Sequence, residues 1–142
     1  MKNFKFRSWD KDHKYMEYTD KNLIVSFGDN GNVDATDLSN IYSTCNGMQN
    51  FELMQSTGLK DINGTEIYEG DILKVFLLNV VGDRVIDEYV YGEMAQEYGV
   101  IGLKNVLGGW GYEQDLTPLI EVGHVYEVIG NIYENPELLE DN

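Results

Sequence analysis

The chain has 142 residues, fifteen glycines, two prolines and one cysteine, and it carries a formal net charge of −15 from 10 basic and 25 acidic side chains. That length fills one domain with its own core. The lone Cys45 excludes an intramolecular disulfide and a cysteine metal cage, and reads as a small half-buried side chain in a reducing compartment. An acidic surface repels phosphate backbones and anionic lipid, so neither nucleic acid nor a membrane is the expected partner.

The acidity is unevenly spread. Residues 1–21 hold six basic and four acidic side chains, residues 22–104 four and thirteen, and residues 105–142 none and eight. Such a tail would attract a basic partner, although acidity also serves plain solubility. The first ten residues lack the apolar core of a secretory signal, and the longest apolar run, near residues 75–81, is far shorter than a membrane span. The sequence therefore predicts a protein of the cytoplasm.

In chain order, Phe4-Lys-Phe-Arg-Ser-Trp alternates with a period of two and predicts a strand, with Lys5, Arg7 and Trp9 on one face. Asp10-Lys-Asp turns it, and residues 13–18 return. Residues 22–27 and a second arm from Val33 form a hairpin turned at Asn30-Gly31. Residues 36–50 fit either a short helix capped by Thr36 or Asp37 and ended by Gly47, or an irregular loop. Strand character resumes at Phe51. Asn63-Gly64 predicts a type I′ hairpin turn, with Ile67 and Tyr68 reaching the core. Glu69-Gly70-Asp71 changes direction again and launches Ile72–Val81, a β-rich run with Lys74 its only charge, expected to be a central strand buried on both faces or one at a barrel seam.

Two further strands are predicted over 84–92 and 98–103, separated by a bulge, turn or helical turn at 93–97. Gly108-Gly-Trp-Gly-Tyr reads as a loop, whose Trp110 and Tyr112 would cap the core or form an aromatic surface. Thr117 and Pro118 look like the cap and first residue of a short helix. A last strand covers 125–133. Asn135 and Pro136 then start a C-terminal helical turn, with Asn135 as cap. The sum is a mostly β chain: a single small-barrel-like or sandwich-like domain of short antiparallel strands with one or two short helices. It spans 1–142, with N-terminal hairpins over about 1–50 packed with a barrel-like core over about 51–142.

The chemistry-bearing residues are sparse. His13 and His124 lack a second ligand at metal-binding spacing, and Asp29-Asn-Gly-Asn-Val-Asp lacks the spacing and closing glutamate of a calcium loop. No serine or cysteine motif accompanies either histidine, and no glycine-rich stretch has a Walker lysine. No catalytic, cofactor or metal site is predicted. Glu69 and Asp71 are the carboxylate pair to inspect for a pocket. The simpler expectation is that Asp71 accepts turn amides while Glu69 is solvated.

Three blocks then carry a resemblance: Lys5-Phe-Arg-Ser-Trp-Asp, Gln55-Ser-Thr-Gly-Leu-Lys-Asp-Ile-Asn-Gly-Thr-Glu-Ile-Tyr-Glu-Gly-Asp-Ile, and Val128-Ile-Gly-Asn-Ile-Tyr-Glu-Asn-Pro-Glu-Leu-Leu. In this order they resemble the YopX family of small proteins encoded by bacteriophages and prophages of Gram-positive bacteria. Ser56 departs from the family's aromatic residue before Thr-Gly-Leu. The resemblance implies a mostly β, barrel-like fold and a phage origin, and brings no catalytic residues.

Function is accordingly expected to be non-enzymatic: a phage accessory protein that binds a host or phage protein in the host cytoplasm, without a cofactor. One alternative is an acidic DNA mimic that inhibits a host defence or replication protein. Another is weak nucleic-acid binding through the Lys5/Arg7/Trp9 face. Homo-oligomers would form through a strand edge such as 4–9 or 84–91.

Overall fold

The computed structural model describes residues 5–38, 47–81, 84–97, 100–107, 117–118 and 125–140. Their order is β1 Phe6–Asp10, β2 Tyr15–Tyr18, β3 Leu23–Phe27, β4 Val33–Asp37, β5 Phe51–Lys60, β6 Glu66–Tyr68, β7 Asp71–Val81, β8 Arg84–Glu97, β9 Val100–Leu107, β10 Thr117–Pro118, β11 Val125–Asn131, and a 3₁₀ turn at Pro136–Leu139. The mostly β, antiparallel class expected from the pattern holds. The chain divides into two compact units, Met1–Ser56 and Thr57–Asn142.

In the first unit β1 is flanked by β2 and by the first half of β5, both antiparallel. The β3–β4 ribbon is a separate two-stranded sheet. Buried Leu23, Ala35 and Met48 pack there with Tyr15, Val25 and Phe51. Met48 joins through its amide, which donates to the Ala35 carbonyl at 2.8 Å. The expected helix or loop over 36–50 lies largely outside the described residues; of its ends, Thr36 and Asp37 belong to β4 and Gly47 bridges to Thr36.

Both Asn-Gly hairpins form, but with a different turn from the one the dipeptide predicts at Asn63-Gly64. A type I′ turn needs positive φ at both central residues. Only the glycines have it, Gly31 at 83° and Gly64 at 81°. Gly64 N–H donates to Asp61 C=O and Asp61 N–H to Thr65 C=O, which is a three-residue loop closed by a left-handed glycine. Residues 28–32 repeat the pattern. At 61–65 the reason is the Asp61 carboxylate. Its Oδ1 accepts the Asn63 and Thr65 amides at 2.9 and 2.8 Å and holds the longer loop.

In the second unit the sheet order is β10-β9-β8-β7-β11, so β7 is interior, one of the two placements its largely apolar run predicts. Consecutive Ile72 and Leu73 are both fully buried, so both faces of β7 are covered at its start. Ile67, Leu73, Val75, Met94 and Leu103 form the core. Each is worth about 1.5–3 kcal/mol of burial. The break foreseen at 93–97 does not form: β8 runs straight through these residues in regular register with β9, and the one register shift lies just before them, between Tyr91 and Glu93, with the extra residue on β9. Thr117 and Pro118 do not start a helix. They form β10, opposite Leu103 and Gly102, and a proline is compatible with such a sheet-end position.

The C-terminal turn is built by side chains. Asn131 Oδ1 accepts the amides of Tyr133 and Glu134 at 3.0 and 2.8 Å. Asn135 does not cap the 3₁₀ turn that follows, although Pro136 opens that turn as expected. Its Oδ1 instead reaches back to the Asn131 amide at 3.2 Å. This brings the Asn135 side chain against Gly130, where a Cβ would stand 2.5 Å from Oδ1.

Asp61 ties this region together. Besides its two turn amides it accepts the Val128 amide on Oδ2 at 2.9 Å. Burial pushes the carboxyl up, but the amides of Val128, Thr65 and Asn63 outweigh it and hold the group below the usual carboxylate range. A depressed folded-state pKa contributes stability above the unfolded-state value of about 4, and that contribution is lost as pH falls through the folded-state value.

Asp61→Asn should therefore cost about 1–3 kcal/mol at neutral pH. The deficit should shrink as pH falls below about 4, since wild type loses its own advantage there. Urea unfolding over a pH series reads this; a deficit that stays constant with pH would contradict it. Gly130→Ala should cost about 1–3 kcal/mol through the clash with Asn135. The double change with Asn135→Ala should recover the clash component, and chemical denaturation of the single and double variants checks this.

Candidate functional site

Glu69 and Asp71 are the pair that the sequence singles out. Asp71 is buried, and its Oδ2 accepts the Tyr68 amide at 2.8 Å. It closes the turn into β7, where Gly70 N–H donates to Met94 C=O and Gly70 C=O accepts from Ile132 N–H, both at 2.9 Å. Asp71 thus fixes the backbone, as the simpler expectation has it. Glu69 beside it is half-buried.

The densest buried polar chemistry lies in the first unit and has no counterpart in the sequence reading. Arg7, Ser8, Asp10, Glu17 and Asp37 are all buried. Register places Ser8 opposite Glu17 and Asp10 opposite Tyr15, so these four side chains share one face of the sheet. Asp37, at the end of β4, accepts a hydrogen bond from the Tyr15 hydroxyl. Burial first, then the Asp37 bond and the charges of Asp37, Asp10 and Glu17, push the Tyr15 phenol far above its ordinary range. Tyr15 is therefore a protonated donor at neutral pH and serves to hold β4 to β2.

Asp10 does two jobs. Its Oδ1 accepts the amides of Asp12 and His13 at 2.9 and 3.0 Å and shapes the turn after β1. Its Oδ2 lies 3.0 Å from His13 Nδ1. The His13 side chain is 74% exposed, so a buried carboxylate orients an imidazole whose other nitrogen faces water. Lys14 follows with φ of 57°, an uncommon value for a residue with a side chain. Ser8 Oγ is buried without a hydrogen-bond partner among the described residues. Among those residues no group of three or more His, Cys, Asp or Glu is arranged to hold a metal ion.

Of the basic-aromatic face expected from the sequence, Lys5 and Trp9 are half-buried and Arg7 is buried. Arg7 is only 3% exposed, because β1 is interior rather than marginal. For the same reason the two strand edges expected to pair between copies are not edges: β1 lies between β2 and β5, and β8 between β7 and β9. Cys45, Trp110, Tyr112 and His124 lie outside the described residues. Among the described residues, no helix is long and apolar enough to cross a membrane.

Among its exposed residues the first unit also carries large apolar side chains. Ile24, Phe27 and Leu38 are 49%, 60% and 40% exposed, all on the β3–β4 ribbon or just after it. Leu38 N–H donates to Asn22 C=O, which extends the ribbon register and places Leu38 diagonal to Ile24 on its outer face. Exposed Asp20, Asp29 and Asp34 surround these side chains in sequence.

Known proteins resemble the chain over nearly its full length. The YopX family, described as YopX protein, matches residues 5–140. The crystal structure of protein YopX from Bacillus subtilis is similar at 26% identity and a TM-score of 0.59, covering 96% of this chain and 98% of that one. Protein EF1440 from Enterococcus faecalis is similar at 29% identity and a TM-score of 0.47, covering 97% and 99%. No curated protein matches. With the match spanning most of the sequence and all three of its blocks, the chain belongs to the YopX family.

Proposed function

We propose that this is a non-enzymatic phage accessory protein that works in the host cytoplasm by binding a host or phage protein. The observation that carries the reading is the set of exposed apolar side chains on the β3–β4 ribbon: Ile24 with Leu38 on its outer face, and Phe27 on the other face, where it packs on Phe6 but stays 60% exposed. Large exposed hydrophobics gathered on one element mark protein contact more often than chance. The buried carboxylates support it from the other side. Asp10, Asp61 and Asp71 each accept backbone amides, a structural use that does not require a substrate.

Affinity capture from phage-infected or prophage-carrying cells, comparing wild type with the Ile24→Asp/Phe27→Asp double variant, tests the reading. A protein held by wild type at moderate salt and lost at least about tenfold in the double variant is expected, the size of a contact hot spot. Equal capture by both proteins would overturn the assignment of the ribbon. Capture by both that disappears steeply with salt would favour mimicry of a nucleic-acid surface instead.

A further inference from the structure

We infer that the outer edge of β3 pairs with itself: a second copy of this chain adds its own β3, antiparallel, about a two-fold axis through Val25. The inference deepens the protein-binding reading, on which it rests, by naming a second copy as one partner of the ribbon.

Hydrogen-bond phase gives the geometry. Leu38 N–H donates to Asn22 C=O at 2.8 Å, and Gly28 N–H donates to Asn32 C=O at 2.7 Å. With the unbroken β3–β4 register, the residues of β3 bonded to β4 are then Ile24 and Ser26. The N–H and C=O groups of Leu23, Val25 and Phe27 point the other way. On that side no strand pairs with β3 among the described residues.

Sheet edges in stable monomers are blunted by charge, proline or a bulge. Leu23-Ile-Val-Ser-Phe has neither charge nor proline, and its register with β4 carries no bulge. Such an edge is a template for another strand.

Charge selects the occupant. Pairing about Val25 sets Val25 against its own copy and Leu23 against Phe27 of the second copy, which matches the outward-pointing groups. The same register brings Lys21, four residues before the axis, toward Asp29 of the second copy, four residues after it. Symmetry makes two such pairs, and both side chains are exposed. A basic peptide would gain from Asp29 but meet Lys21 with like charge. A second copy satisfies both ends at once.

Sedimentation equilibrium of the full chain over a concentration series tests this. Wild type should be a reversible dimer. Val25→Pro should be monomeric with an unchanged circular dichroism spectrum, because it removes an N–H that the β3–β4 ladder does not use. Lys21→Glu should weaken the dimer about fivefold, and Lys21→Glu with Asp29→Lys should return it to roughly the wild-type constant. The charge series decides the matter if Val25→Pro fails to fold. A wild-type monomer at every concentration, or a dimer indifferent to the charge series, overturns self-pairing. Either result leaves the protein-binding reading standing if Ile24→Asp/Phe27→Asp still abolishes capture of another protein, and removes both if it does not.

Discussion

The Asp61 carboxylate is the contact on which the second unit depends. It accepts two amides of its own turn and one from Val128, 67 residues away. Beside it, Ile62 N–H donates to Tyr126 C=O at 3.1 Å. The turn after β5 thereby covers the side of β11 that faces away from β7. β11 is the end strand of its sheet, and an uncovered end strand invites pairing with other chains. A buried carboxylate is tolerated here because amides replace its water, and removing it would take the acceptor from all three donors at once.

That contact also explains why two stretches of sequence identify the family. The central block contains Asp61, Gly64, Ile67, Gly70 and Asp71, and the C-terminal block contains Val128, Gly130, Asn131 and Asn135. They fold against each other: Asp61 binds Val128, Ile132 donates to Gly70, and Asp71 pairs in register with Asn131. The signature is thus one structural joint read twice along the chain. Neither block contains β3 or β4, the ribbon proposed for binding.

Patterns that act locally were legible beforehand. The apolar run of β7, the glycine at each hairpin and Pro136 at its turn all act through the backbone or burial within a few residues. What escaped depends either on a neighbour distant in sequence or on a side chain that takes over the amides of its own turn. Alternation in β1 correctly predicts a strand, but only its flanking by β2 and β5 buries Arg7. Asn-Gly predicts a tight turn, yet Asp61 imposes the longer loop. Thr117-Pro118 carries a sound helix-start pattern that the pairing with β9 overrides. The Tyr15–Asp37 contact went unseen because alternation cannot show which residues of β2 and β4 come to face one another, and the Asp10–His13 contact lies within a turn, where alternation does not apply.

The account's central claim is that the Asp61 carboxylate, rather than the sheet ladder alone, holds the outer side of β11. Amide hydrogen exchange at Val128, compared between wild type and Asp61→Ala under conditions where both are folded, tests it most directly. The account predicts that Val128 exchanges slowly in wild type and joins the rapidly exchanging amides in the variant, together with Asn63 and Thr65, while the β7 amides bonded to β8 stay protected. Val128 protection that survives the loss of the carboxylate would contradict it.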